Sequence, residues 1–203
     1  HGLSDDAQFG GPLGTTFLLA MATPMILMPI ERIFKPANPR APQAADDRQL
    51  DPALARQVDD VLGPARTFGA APFAAPARWS YVAGCRPFNA ARTWPAHLLR
   101  SLGTPEAYSA ATNTPAARIL RDLRNALAHG GIAYLDAQGR QTNGDAAMLA
   151  FAGAVIDRNN RLIGLNVLRI GEEDFCAFLM AWADWLGQPD IREALNAVDP
   201  PAA

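Results

Sequence analysis

Apolar residues fill Pro12 to Ile30 almost without a charge, a run about as long as a membrane span. Pro24 and Pro29 interrupt it, Asp5 and Asp6 stand where a signal segment would carry basic residues, and no A-x-A cleavage pattern follows. The pattern therefore predicts a core helix broken near its prolines, with Glu31 and Arg32 returning the chain to solvent. Lys35 to Asp51, rich in Pro, Ala, Asp and Gln, predicts an exposed connector, and Pro52 to Leu62 a short helix closed by Gly63-Pro64. Across 65–95, four prolines and two glycines are scattered among Phe68, Phe73, Trp79, Tyr81, Phe88 and Trp94, which predicts a long irregular segment wrapped on the core.

Helical spacing returns at Trp94, through Leu98 and Leu99 to a stop at Gly103, and Glu106 to Thr112 adds one or two turns. The next helix is bracketed by Thr114 as N-cap, Pro115 at the first helical position and Gly130-Gly131 as its stop. Its Ala116, Ile119, Leu120, Leu123 and Leu127 form one apolar stripe, which leaves Arg118, Arg121, Asn125 and His129 on the other side. Beyond the glycines the period shortens. Ile132 to Asp136, Met148 to Ile156 and Arg161 to Ile170 are apolar and partly alternating, Gly139 to Gly144 is a polar loop, and Asp157-Arg158-Asn159-Asn160 has turn composition, so a small antiparallel hairpin or meander is expected. Glu172, Glu173 and Asp174 suit the positive end of a last long helix, whose Phe175, Phe178, Leu179, Trp182 and Leu186 fall on one core-facing stripe. The expected fold class is thus mainly α: a helical bundle with a small antiparallel β-hairpin or meander inserted before the last helix.

Composition sets the scale. With 203 residues, 49% of them hydrophobic and 19% charged, residues 1–203 suffice for a single domain with a substantial core. Cys85 and Cys176 stand far apart with no CxxC or CxxH spacing, which argues against a disulfide framework and a zinc site and for a reducing, cytoplasmic setting. No GxGxxG, GxxxxGK[ST] or GxSxG occurs, so dinucleotide, P-loop and serine-hydrolase chemistry has no support, and neither a cofactor nor a metal is expected. His1, in a chain that does not start with Met, is set aside as an expected trimming or tag remnant. The remaining histidines differ in setting. His97 reads as a surface or boundary histidine on a helix. His129 stands at a helix end, where free carbonyls favour positive charge, with Asn125 one turn earlier and Arg124 five residues earlier.

Net charge is −2, but from Arg66 to Arg140 nine arginines face only Glu106, Asp122 and Asp136, leaving +6 there and −8 in the rest of the chain. Such asymmetry suits a local anion-binding face on an acidic protein; arginines that merely solvate helix surfaces are the alternative. Arg118, Arg121 and Arg124 form the one closely spaced basic triplet on a helix.

Arg124-Asn125-Ala126-Leu127-Ala128-His129 resembles the hallmark of the HEPN superfamily (higher eukaryotes and prokaryotes nucleotide-binding domains), an Arg usually followed by a polar residue, with four to six residues between the Arg and a His. Leu123 to Gly130, Leu165-Asn166-Val167-Leu168-Arg169-Ile170, the closing helix Glu172 to Leu186, and Ala22-Thr23-Pro24-Met25 to Pro29-Ile30-Glu31-Arg32 look like a plasmid-associated branch of it. The resemblance implies a HEPN-like helical bundle, a homodimer with the motif at its interface, and one of two functions. One is a metal-independent endoribonuclease or RNase-like toxin of a bacterial defence or toxin–antitoxin system, with an antitoxin as partner. The other is a non-catalytic module that binds nucleotides or nucleic acid. In the first, His129 acts as general acid/base on RNA, Arg124 holds the scissile phosphate and Asn125 orients His129, while Arg118 and Arg121 bind nucleic acid. Geometry adds a condition. On a regular helix positions 124 and 129 lie roughly 140° apart, whereas 121, 125 and 129 form one stripe.

Overall fold

A computed structural model describes residues 12–31, 52–75 and 77–188. In chain order these form α1 (Pro12–Pro29), α2 (Pro52–Leu62), a 3-10 turn at Phe68–Ala70, β1 (Ser80–Cys85), α3 (Ala96–Ser101), α4 (Pro105–Asn113), α5 (Ala116–His129), β2 (Ile132–Leu135), β3 (Met148–Ile156), β4 (Leu162–Gly171) and α6 (Glu172–Leu186). The connector expected over 35–51 lies outside the described residues.

The organising layer is a four-stranded antiparallel sheet in the order β1-β4-β3-β2. β3 and β4 carry unbroken buried runs over residues 149–153 and 164–170, the pattern of strands covered on both faces. On one face, Leu149, Phe151, Leu168 and Ile170 join a core built with α1, α2, α5 and α6, in which Trp79, Phe175 and Phe178 pack edge to face or stacked. On the other, Ala150, Ala152, Leu165 and Val167 meet Trp94, Leu98, Leu99 and Leu102.

This architecture corrects the expected fold class. The chain is a mixed α/β structure in which a sheet, with helices on both faces, takes the place of a helical bundle. The expected meander is present as β2-β3-β4, but a further strand lies inside the segment expected to be irregular. β1 pairs Ser80, Tyr81 and Val82 with Arg169, Leu168 and Val167, then shifts register before Cys85. Its sequence, Ser-Tyr-Val-Ala-Gly-Cys, alternates weakly because only its first half packs under neighbours while its exposed half is an edge. The partner strand, not local propensity, makes it a strand.

Two helix details also differ from expectation. α1 continues through Pro24 instead of breaking there, since Leu19, Ala22, Ile26 and Ile30 hold it against the core and the Thr23 hydroxyl donates to the Leu19 carbonyl one turn back. Thr114 does not cap α5. Its hydroxyl bonds the Ala110 carbonyl and closes α4, while α5 starts where Ala116 N–H meets the Arg66 carbonyl. No helix among the described residues is long and apolar enough to cross a membrane.

Candidate nucleic-acid interface

α5 owes its placement to burial. Ala116, Ile119, Leu120, Leu123, Ala126 and Leu127 are all buried, and each enclosed Leu or Ile contributes roughly 1.5–3 kcal/mol relative to exposure. Those contacts outweigh any surface charge term, so the apolar stripe fixes which way the opposite one looks. Arg118, Arg121 and His129 are exposed and Asn125 half-buried, as the helical spacing predicts. α5 ends at Gly130, whose left-handed φ of 69° favours glycine, and its N–H returns to the Ala126 carbonyl.

Among the described residues, three of the arginines between 66 and 140 have carboxylate partners: Arg66 with Asp60, Arg140 with Asp136, and Arg124 with Glu31 just past the end of α1. Arg118 and Arg121 have none among the described residues. Arg124 departs most from its expected role. Its side chain is only a quarter exposed, it is paired with Glu31, and its Nη1 donates to Asn125 Oδ1 at 2.8 Å. That bond ties the guanidinium to a residue of the Arg121, Asn125 and His129 stripe. It also engages the Asn125 oxygen, the atom expected to orient His129.

Sequence reasoning missed the acid beneath this surface. Asp122, counted there only against the arginines, is 2% exposed and faces the sheet. Its Oδ2 accepts from the Tyr81 hydroxyl at 3.0 Å and from Asn166 Nδ2 at 2.9 Å, while Asn166 Oδ1 accepts from the Gly84 N–H at 3.0 Å. Burial raises the Asp122 carboxyl above its ordinary value, although the bonds from Asn166 and Tyr81 and the charges of Arg121 and Arg118 oppose this. Tyr81 is raised as well, by burial first and then by Asp122. The approach depends on Gly153, opposite Asn166 in the sheet, where a Cβ would come within 2.8 Å of the Asp122 carbonyl oxygen. A lone acid in the buried phase of α5, one turn from Ile119 and from Ala126, was the available signal.

These features make α5 a rigid ridge carrying cations on its solvent side. His97 is exposed on α3, as its sequence setting suggests. A cavity of about 240 Å³ between Phe68, Ala74, Trp79 and Ala111 includes no residue of the α5 stripe. No group of His, Cys, Asp and Glu among the described residues is arranged to hold a metal.

No protein-family model, curated protein or solved structure matches the chain.

Proposed function

We propose that this chain is a nucleic-acid-binding module that lays an RNA phosphate backbone along the exposed stripe of α5. One observation carries the reading: Arg118 and Arg121, free of carboxylate partners among the described residues, stand in line with Asn125 and His129 on a helix whose opposite face is fully packed. A phosphate chain exchanges its condensed counterions for such cations, which gives affinity without sequence preference. A homodimer that set two stripes side by side would lengthen the track.

The second reading is metal-independent cleavage at the same place, with His129 moving the proton and Arg124 at the phosphate. The Arg124–Asn125 bond favours it by joining the guanidinium to a residue of the stripe that also carries His129. Glu31 opposes it, because a phosphate must displace that carboxylate to reach Arg124. Binding without cleavage is therefore the better fit. The test is titration of labelled single-stranded RNA in EDTA, followed by gel analysis of the same samples. Salt-sensitive binding with intact RNA, weakened in Arg121→Glu, is the expected result; RNA cut by wild type and spared by His129→Ala would put cleavage first.

A further inference from the structure

On the sheet face opposite α5, Arg169 presents an unusual cation. It shares its face with Leu165 and Val167, whose side chains lie in the core around α3, while Leu168 and Ile170 face the α5 side. Arg169 is only 7% exposed, yet it has no carboxylate partner among the described residues, and its one side-chain hydrogen bond runs from Nη2 to the Tyr108 hydroxyl at 3.0 Å. Arg78 lies over the same phenol, its Cζ 4.2 Å from the ring centre, with the Arg169 Cζ at 6.0 Å. Two guanidiniums thus gather around one tyrosine, and no carboxylate among the described residues pairs with either. A cation removed from water is costly unless an opposite charge replaces the lost hydration, and a second cation beside it increases that cost.

Backbone packs closely around the guanidinium. Gly139, in the loop after β2, lies so close that a Cβ there would be 2.9 Å from Arg169 Nη1, and at Gly103 one would be 3.6 Å from both terminal nitrogens. Directly across the β1–β4 rung, Ser80 brings a wholly buried hydroxyl without a hydrogen-bond partner. Arg78 is exposed, so the pair meets solvent on that side.

We propose that Arg169 and Arg78, arranged around Tyr108, form a binding site for a phosphate group. Two guanidiniums match a dianion better than a single carboxylate, and each offers a planar fork of N–H donors to phosphate oxygens, with the phenol holding Arg169 in place. The site lies across the sheet from the α5 stripe and is independent of it.

The test is calorimetric titration of the full chain with inorganic phosphate against sodium chloride at equal ionic strength, with acetate as a second anion. Wild type is expected to bind phosphate and to bind acetate at least about tenfold more weakly. Arg169→Gln and Arg78→Gln should each weaken phosphate binding by about tenfold or more, while Arg121→Glu should leave it unchanged. Arg78 is exposed, so its variant tests the site even if Arg169→Gln does not fold. No phosphate binding by wild type, unchanged affinity in Arg78→Gln, or loss in Arg121→Glu would each overturn the proposal; acetate bound as tightly as phosphate would overturn the choice of ligand.

Discussion

Arg124 on α5 and Glu31 at the end of α1 form a half-buried ion pair that ties the first helix to the one carrying the candidate interface. The pair takes one of three closely spaced arginines out of the cationic surface and leaves Arg118 and Arg121 as its working charges. Neutralising Glu31 should return the third. Glu31→Gln is expected to tighten RNA binding several-fold and to steepen the dependence of log K on log salt by roughly 0.7, the contribution of one more phosphate contact on a single strand. The stability cost should stay within about 1 kcal/mol, as for other partly exposed pairs. Filter binding at several salt concentrations measures the first effect and urea unfolding the second; an unchanged salt slope would place Arg124 outside the interface.

Asp122 makes a different prediction, about the fold beneath that surface. Asp122→Ala strands the Tyr81 hydroxyl and an Asn166 N–H inside the protein, at roughly 1–3 kcal/mol for each unsatisfied donor, whereas Asp122→Asn keeps an acceptor and should cost less. The pH dependence follows from the direction of the shift. The folded carboxyl binds its proton more readily than the unfolded one, whose ordinary value is 3.8, so its contribution is fully present below that value and is lost as pH rises through the raised folded one. Wild type should therefore gain stability relative to Asp122→Asn as pH is lowered from 7 toward 4. Urea titrations of both proteins across that range would show it, and a constant difference would contradict it.

Gly153 sets how closely α5 can approach the sheet. A methyl group there would meet the Asp122 backbone at 2.8–2.9 Å, so helix and strand must separate and the Asp122–Asn166 bond must lengthen. Gly153→Ala should destabilise the protein by about 1–3 kcal/mol, the usual range for an overpacked contact. Combined with Asp122→Asn, its effect should be less than additive, since the two act on one contact. Thermal or urea unfolding of the double-mutant cycle measures the coupling.

Much of this was legible in the sequence where periodicity is strong and local. α2 and α6 have the expected bounds, β3 runs from Met148 to Ile156, and the two faces of α5 fall as its spacing requires. What failed was set by distant partners. β1 hides among prolines and glycines because its pairing with Leu168 and Arg169, some ninety residues away, outweighs its own weak alternation, and that one strand turns an expected bundle into a sheet-centred fold. Thr114 met the rule for a helix N-cap but serves the helix before it. In the candidate site the exposed cations were readable, while the partner of Arg124 was not, since Glu31 meets it only through the packing of α1 on α5. The same holds for Asp122, whose burial depends on Gly153, Tyr81 and Asn166 from three strands.

The most direct measurement compares single-stranded RNA binding by wild type and by Arg118→Gln/Arg121→Gln/His129→Gln from 50 to 200 mM salt, with circular dichroism melting to show that both are folded. All three positions are exposed and lie outside the buried stripe, so the variant should melt like wild type. Binding along α5 predicts a wild-type slope of log K against log salt of about −1.4 or steeper, from at least two arginine–phosphate contacts, and an affinity at least about tenfold lower with a flatter slope in the variant. Equal affinity and equal slope for the two folded proteins would contradict it.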